Sequence, residues 1–350
     1  MGNTKTILVA PLHWGLGHAT RCIPIIQALL NHNFNVIIAS DGGALAFLRK
    51  EFPNLKSIEL PSYNITYPKN GEKFKWQLLL KLPKIKKVIS EEKKIVKQLI
   101  SEGKIQGIIS DNRLGIRSEK VPSVYITHQL NVLSGNTTFY STKAHQSIIK
   151  KFDECWVPDI EGKSSLSGEL GHLTTTPFPI KFLGVLSRMK KIDLPIKFDI
   201  LILLSGPEPQ RTLLEEKLIQ ELKGKNKRVL LVQGRVEKFQ KKEQIKNITR
   251  INFMESKELE KSINESELII SRSGYTTIMD LATLNKKAFF IPTPGQFEQE
   301  YLAKRMRESQ IAPFCKQEDF NIEKLKEVEI YNELSVENQE TDYYELFSLF

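Results

Sequence analysis

The order of the apolar segments constrains this chain more than any other feature of its 350-residue sequence. Residues 6–11 form a short β-rich run, residues 13–18 contain two glycines, and apolar residues then recur at helical spacing over residues 23–30. Residues 35–39 form a second short apolar run. A strand, a glycine loop, a helix and another strand make the βαβ pattern of a parallel sheet covered by helices.

The same order begins again near residue 198. Apolar runs at residues 199–204, 228–232, 268–270 and 288–291 predict strands, and helical patterns follow the first, third and fourth of them. Two such series predict an α/β fold with two doubly wound, Rossmann-like domains. The length agrees, because 350 residues at about 150 per domain predict two domains.

The domain boundaries are predicted from changes in composition along the chain. We expect a first domain over residues 1–178 and a second over residues 198–335. The linker between them, residues 179–197, is rich in Pro and Lys and lacks clear periodicity. Residues 336–350 form a tail with an aromatic end, which rarely stays in water, so we expect it to dock on the domains.

Composition excludes several classes of protein. With 40% hydrophobic and 26% charged residues, the chain is not globally disordered. No apolar run approaches the roughly 18 residues that span a membrane, and the apolar N-terminal stretch is typical of a strand, not of a signal peptide. The three cysteines form no C-x-x-C pair, which favours a reducing compartment, so we expect a cytoplasmic protein.

The net charge of +10 indicates an anionic partner without identifying it. Nucleic acid, a phospholipid surface and a phosphorylated metabolite all fit such a charge. The lysines are scattered rather than interleaved with aromatic residues, and no RNA-binding or zinc motif is present. We therefore expect no nucleic-acid partner.

Polar residues follow several predicted strands of the first half. Ligands of open α/β sheets bind beyond the carboxyl ends of the strands, so these residues are candidates for a site. They are Gly17, His18, Asp111, Arg113 and His128, with Arg21 one turn after His18. A histidine at the start of a helix can accept a proton near neutral pH.

Two turns of the second half are suited to phosphate. Ser205 and Gly206 follow one predicted strand, and Ser273 and Gly274 follow another, each before a helix. Backbone N–H groups and hydroxyls at such turns bind phosphate oxygens. The sequence therefore favours a phosphorylated ligand on the second domain.

Three further side chains of the second half are suited to a sugar. Asp280 lies about two turns beyond Ser273, where its carboxylate can accept both hydroxyls of a ribose. Glu298 and Gln299 follow a loop rich in Pro and Gly, and together they offer the paired donors and acceptors that sugar hydroxyls require.

Together these motifs resemble those of the GT-B glycosyltransferases, and most closely the MurG-like branch, which transfers N-acetylglucosamine from UDP to a lipid-linked acceptor. The strongest match covers residues 271–305, and the first glycine loop and the Ser205-Gly206 turn support it. The resemblance implies two domains facing across a cleft. It also implies inverting transfer of a hexose or N-acetylhexosamine from a UDP-sugar to an acceptor hydroxyl, as in cell-envelope glycan or glycolipid synthesis, with no metal and no cofactor besides this co-substrate.

The resemblance implies roles for single residues as well. His18 is the candidate general base, and Asp280 replaces the glutamate with which the family binds ribose. The residues expected to bind the donor are Phe253 and Met254 at the uracil edge, Ser205, Gly206, Ser273 and Gly274 at the diphosphate, and Glu298 and Gln299 at the sugar. The residues expected to orient the base or bind the acceptor are Gly17, Arg21, Asp111, Arg113 and His128.

Two departures from the family pattern concern the loops. The turn Ser205-Gly206-Pro207-Glu208 replaces a glycine–glycine–serine turn, which changes the expected geometry around the diphosphate. The loop before His18 contains Trp14 and Leu16 and is bulkier than the family's glycine cluster, which indicates a different acceptor.

Residues 76–87 mix apolar and basic side chains and have two interpretations. They predict either contact with an anionic bilayer near a lipid-linked or glycan acceptor, on the inner face of the cell membrane, or a first-domain helix with core leucines and solvated lysines. Two other functions stay open. One is a UDP-sugar 2-epimerase on the same fold, with Glu298 as its best acid/base candidate; the other is a nucleotide-sugar binder without catalysis.

Overall fold

The structure is a computed structural model that describes residues 4–63, 82–206, 208–336 and 341–350. It contains two separate parallel sheets, one from each half of the chain. The first sheet has these described strands: β1 (Thr6–Pro11), β2 (Asn35–Ser40), β3 (Lys56–Glu59), β4 (Gly107–Asp111), β5 (Ser123–Ile126), β6 (Glu154–Val157) and β7 (Ile180–Phe182). The second sheet has these: β8 (Phe198–Leu203), β9 (Val229–Val232), β10 (Lys242–Ile245), β11 (Ile248–Ile251), β12 (Ser266–Ser271) and β13 (Lys287–Phe290).

Helices connect and cover the strands. Those of the first domain are α1 (Gly17–Asn31), α2 (Gly42–Glu51), α3 (Leu82–Ser101) and α4 (Thr138–Ile149). Those that follow are α5 (Gln210–Leu222), α6 (Ser256–Asn264), α7 (Tyr275–Thr283), α8 (Phe297–Glu308) and α9 (Tyr343–Phe347). Short 3-10 turns lie at Gly135–Thr137, Gly168–Leu170 and Ile322–Ile330. None of the helices in these described ranges is both long and apolar enough to cross a membrane.

The strand orders are β3-β2-β1-β4-β5-β6-β7 and β10-β11-β9-β8-β12-β13. Neighbouring strands are parallel except β10 and β11, which form an antiparallel pair. The predicted α/β class with two doubly wound domains is therefore confirmed. The strands near the middle of each sheet are continuous apolar runs because helices cover both of their faces.

Each sheet reverses its direction of winding at one point, and ligands of such sheets bind at that point. In the first sheet it lies between β1 and β4, where Pro11 pairs in register with Asp111. In the second it lies between β8 and β12, where Leu203 pairs with Ser271. The candidate residues from the sequence follow these same strands.

The end of the chain returns to the first domain. The Phe347 ring lies 5.8 Å from that of Phe34, and the Phe350 ring lies 6.1 Å from that of Trp156. Phe350 also fills the space beside Gly107, where an added Cβ would lie 2.5 Å from the phenylalanine ring. The aromatic end of the tail is thus part of the core of the first domain.

Candidate active site

The glycine loops of the two domains meet at the carboxyl edges of the sheets. Gly15 has φ +82° and Gly206 has φ +93°, a backbone conformation that favours glycine. A Cβ on Gly15 would lie 4.0 Å from the Cα of Gly206, and a Cβ on Gly206 would have no other atom within 4 Å. The Thr276 hydroxyl donates to the Gly17 carbonyl at 3.2 Å. The N-termini of α1 and α7 therefore converge beside an open space.

His18 lies in the first turn of α1, at this junction. Its Nδ1 is 2.7 Å from Oδ1 of Asp111, which is fully buried at the end of β4. Arg21 Nη2 lies 2.8 Å from the same nitrogen, so the proton is on Nδ1 when it donates to the carboxylate and on Nε2 when it accepts from the guanidinium. A general base requires the first of these tautomers, in which Nε2 can accept a proton.

Arg21, one turn along α1, holds the same carboxylate. Its Nε donates to Oδ2 of Asp111 at 2.5 Å, and its Nη2 donates to the other oxygen. Burial lowers the pKa of His18, Asp111 opposes that shift, and Arg21 adds to it. Burial alone would raise the pKa of Asp111, but the charges of Arg21 and His18 outweigh it and hold that pKa well below its usual range. At neutral pH the site is therefore an ionised carboxylate beside an unprotonated imidazole.

His128 extends this network across the cleft. Arg21 Nη1 donates to Nδ1 of His128 at 2.9 Å, so the proton of His128 is on Nε2, which donates to Glu298 Oε1 at 2.7 Å. The Gln129 amide donates to the second oxygen of Glu298, and the His128 ring stacks on Tyr275 at 4.2 Å between centroids. Burial alone would raise the pKa of Glu298, but His128 outweighs it and the pKa is lowered. Contacts thus run from His18 to Glu298, in α8 of the second domain.

The residues predicted to bind the diphosphate differ in whether their polar groups are available to a ligand. The Ser273 side chain is fully buried, and its hydroxyl donates to the Gln299 carbonyl at 2.7 Å. The Gln299 side chain in turn accepts from the Thr293 N–H at 2.8 Å. These contacts hold α8 against α7. A Cβ added to Gly206 would meet no atom within 4 Å, and one added to Gly274 would meet only the Thr277 hydroxyl, at 4.0 Å.

Asp280 lies on α7 against the linker. It accepts from the Ser187 hydroxyl at 2.7 Å, which is the kind of donor that a ribose hydroxyl would supply. Burial raises the pKa of Asp280, and the nearby Arg188 charge opposes that shift. Ser187 and Arg188 had no predicted role, because nothing in the linker sequence indicates which helix the linker packs on.

Phe253 and Met254 are buried beneath α2 of the first domain. The Phe253 carbonyl accepts from the Gln240 amide at 3.0 Å, and Lys50 Nζ lies 4.9 Å from the centre of the Phe253 ring. Next to them, the Glu51 carboxylate accepts from the backbone N–H of Ser256 at 2.8 Å and from its hydroxyl at 2.6 Å. The predicted uracil segment therefore lies at a contact between the domains.

The Arg113 side chain does not contact His18. Its guanidinium is fully buried, and it donates to Asp41 and, at 2.6 Å, to Glu92. Tyr63 completes this cluster by donating to Glu92 at 2.7 Å. Arg21 is likewise enclosed by its partners. Neither guanidinium is exposed and both hold buried carboxylates, and the role in acceptor binding expected of these two arginines stays a prediction.

Two residues of the site had no predicted role. Tyr275 supports the His128 ring and donates to the Pro158 carbonyl at 2.9 Å, and Thr276 joins α7 to the first glycine loop. Their only signal in the sequence is their position directly after Gly274. In the part of the chain that the structure describes, no group of three or more His, Cys, Asp or Glu side chains is arranged to hold a metal ion.

Comparison with known proteins gives the same class. Residues 209–342 match the glycosyltransferase family 28 C-terminal domain. The crystal structure of Acinetobacter baumannii MurG is 18% identical, with 93% of this chain and 89% of that chain covered and a TM-score of 0.53. The glycosyltransferase of kitacinnamycin is 13% identical, with 94% and 90% covered and a TM-score of 0.62. No curated protein matches the sequence.

A plant enzyme has the same fold. Phytolacca americana UGT2, complexed with UDP-2-fluoro-glucose and pterostilbene, is 11% identical, with 89% of this chain and 85% of that chain covered and a TM-score of 0.58. The fold and the matched domain define this protein as a glycosyltransferase of the GT-B class. More particularly, the match over residues 209–342 and the likeness to MurG confirm the predicted MurG-like resemblance.

Proposed function

We propose that this glycosyltransferase moves a hexose or N-acetylhexosamine from a UDP-sugar to an acceptor hydroxyl, with inversion at the anomeric carbon and without a bound metal. One observation carries the proposal. The N-termini of α1 and α7 meet at the contact between Gly17 and Thr276, the Gly206 turn next to Gly15 faces open space, and His18 lies in the first turn of α1. Helix N-termini and glycine turns favour a diphosphate, and an unprotonated imidazole favours deprotonation of a hydroxyl.

The proposed reaction is a single displacement. The acceptor oxygen attacks the anomeric carbon while the bond from that carbon to the diphosphate oxygen breaks, and UDP leaves from the opposite face. His18 Nε2 takes the proton of the acceptor hydroxyl. Asp111 holds the imidazole in the required tautomer, and Arg21 holds Asp111. The helix N-termini stabilise the negative charge that develops on the diphosphate.

The donor is proposed to lie mainly on the second domain. Phe253 and Met254 meet the base, and Asp280 binds the ribose in place of the Ser187 hydroxyl. Glu298 and Gln299 meet the sugar. Because Glu298 already contacts His128 across the cleft, a bound sugar at Glu298 is next to the network that holds His18.

A 2-epimerase is the second candidate, and one observation favours it. The Glu298 carboxylate and the His128 imidazole are 2.7 Å apart, at the place proposed for the donor sugar, and such a pair can move a proton on the sugar ring. An epimerase acts on the UDP-sugar alone, whereas a transferase needs an acceptor.

Thermal unfolding with nucleotides and nucleotide sugars tests the proposal first. A ligand that binds only the folded protein raises the midpoint, so UDP and at least one UDP-sugar should raise it by several degrees, and ADP and GDP by less. Absence of a shift with every nucleoside diphosphate would contradict the proposal. NMR of the protein with the bound UDP-sugar alone then separates the candidates, because a new epimer identifies the epimerase.

The acceptor is proposed to be a glycan or a lipid-linked molecule at an anionic membrane surface. Of the segment proposed to contact the membrane, residues 76–81 lie outside the described residues. Residues 82–87 begin α3, which buries Val88, Val96 and Leu99 further along and leaves Leu82 45% exposed. Flotation with liposomes that contain anionic lipid tests this contact, and it fails if no salt-sensitive binding occurs.

A further inference from the structure

Three arginines are among the largest fully buried side chains of the protein: Arg21, Arg113 and Arg272. The first two pair with buried carboxylates, Arg21 with Asp111 and Arg113 with Glu92 and Asp41. Charge compensation of this kind is normal, because an isolated charge is expensive to bury. Arg272 is the exception.

Arg272 donates to neutral acceptors. Its Nη1 donates to the carbonyls of Ile291 and Pro292, each at 3.0 Å. Its Nη2 donates to the carbonyl of Gln210 at 2.8 Å and to the side-chain oxygen of Gln317 at 2.6 Å. Among the described residues it forms no ion pair, and burial lowers its pKa with no carboxylate to oppose the shift. The guanidinium therefore has hydrogen-bond acceptors but, among the described residues, no countercharge.

The position of Arg272 relates this charge to the open space between the domains. Arg272 directly precedes Ser273 and Gly274, at the end of β12. The carbonyl of Gln210 belongs to the first residue of α5, which follows the Gly206 turn. The cation thus lies behind two of the loops that border the space, on the side of the second domain.

A role in structure alone does not need the charge, because a neutral donor can also bind carbonyls. A buried cation at a low-dielectric position acts on anions several ångströms away more strongly than a solvated one. The described part of the protein supplies no countercharge to Arg272. An anion bound at the Gly206 and Gly274 backbones would supply it.

We propose that Arg272 is the countercharge for the diphosphate of the donor, acting through the loops that it holds rather than by touching the ligand. This inference rests on the proposed function and adds a unit positive charge to the partial charges of the helix N-termini. The same charge stabilises the diphosphate as it leaves the sugar, because negative charge on it increases in that step. Arg272 is accordingly a positioning and electrostatic residue.

Binding measurements on three variants test this. Arg272→Met removes the charge, Arg272→Lys keeps it, and Gln317→Leu removes one acceptor of the same guanidinium without changing charge. Calorimetry gives the affinity of each for UDP, for uridine and for inorganic pyrophosphate, and circular dichroism checks that each is folded. We expect Arg272→Met to weaken UDP and pyrophosphate by about 10–100-fold and uridine by less than about threefold, since only the first two carry the diphosphate charge.

Arg272→Lys should keep the ratio of UDP to uridine affinity within about threefold of the wild-type ratio, and so should Gln317→Leu. Equal weakening of UDP and uridine by Arg272→Met, or no weakening, would overturn the inference. If the Met variant does not fold, the Lys variant decides, because loss of its UDP-to-uridine ratio would overturn the inference. If the wild-type protein binds pyrophosphate but not UDP, the proposed UDP-sugar donor is contradicted while the proposed anion site is supported.

Discussion

The two domains share one architecture but present different chemistry at the edges of their sheets. All six histidines of the chain lie between His13 and His172, in the first domain, and none follows. At the edge of the second sheet are glycines, hydroxyls and a buried arginine that has no carboxylate partner among the described residues. The first edge is therefore suited to holding and moving a proton, and the second to holding an anion.

This chemical difference between the sheet edges follows from the partners that each domain provides for its buried arginines. In the first domain Arg21 and Arg113 are each paired with carboxylates, so the positive charge beside His18 is compensated by Asp111. At the second edge the partners of Arg272 among the described residues are neutral acceptors. A transferase needs both conditions, one on each side of the bond that is exchanged.

Removal of the base should have the largest effect. His18→Ala is expected to reduce turnover by about 10²–10⁴-fold, because a general base contributes this much, while UDP affinity stays near that of the wild type. Initial rates with saturating UDP-sugar and acceptor measure the turnover, and calorimetry measures the UDP affinity. A matched control is His32→Ala, since His32 lies at the far end of α1 and its Nδ1 contacts the Ala28 carbonyl there. Unchanged turnover in His18→Ala would remove this residue from the mechanism.

Loss of the paired carboxylate should mainly reduce stability. Asp111→Asn leaves the Arg21 guanidinium buried without its countercharge, which is expected to lower the free energy of unfolding by about 3–5 kcal/mol. The three tryptophans, Trp14, Trp76 and Trp156, all lie in the first half of the chain, so urea unfolding followed by their fluorescence reports on that domain.

Glu102→Gln is the control for this variant, because Glu102 pairs with Lys104 on the solvent-exposed surface and its loss should leave the midpoint unchanged. If Asp111→Asn unfolds at the wild-type urea concentration, the pair does not form in solution as the structure has it.

The class of fold was predictable because its central strands are apolar on both faces. Residues 6–11 and 199–204 were expected as strands, and the structure has β1 at Thr6–Pro11 and β8 at Phe198–Leu203. The β10 and β11 pair was not predicted. Its strands, Lys242–Ile245 and Ile248–Ile251, have four residues each, and β10 is polar at its first three positions and forms the edge of the sheet, where apolar periodicity is weak.

The candidate site was predictable only as a set of loops. A glycine turn after a strand indicates that His18 lies at a sheet edge, but its partners come from other loops. Asp111 and His128 reach Arg21 from positions 90 and 107 residues away, and no local pattern encodes such contacts. The catalytic and binding roles given to these residues stay predictions, which the variants above test.

A buried histidine should make the first domain sensitive to acid. His145, on α4, has its Nε2 buried without a hydrogen-bond partner among the described residues. Burial lowers its pKa to about 4, and electrostatic interaction with His128 adds to the shift. Between about pH 6.5 and 4 the unfolded chain binds a proton that the folded chain does not, so stability should fall as the pH falls through that window.

The expected loss of stability from His145 is up to about 3 kcal/mol across the window, because each tenfold change in proton affinity between the folded and unfolded chain is worth about 1.4 kcal/mol. Tryptophan fluorescence during urea unfolding at a series of pH values measures it. His145→Gln cannot titrate, so its stability should depend less steeply on pH than that of the wild type. Equal slopes for the two proteins would mean that His145 is solvated or paired in solution.

The smallest expected effect concerns the contact between Glu51 of the first domain and Ser256 of the second. Glu51 of α2 accepts from the backbone N–H and the hydroxyl of Ser256 at the start of α6, and a carboxylate at a helix N-terminus contributes about 0.3–1 kcal/mol. Glu51→Gln should therefore increase hydrogen exchange at the Ser256 amide by about two- to fivefold. Ser256→Ala keeps the N–H contact and should change that exchange less. Equal exchange in wild type and Glu51→Gln would mean that the Glu51 carboxylate does not stabilise this contact between the domains.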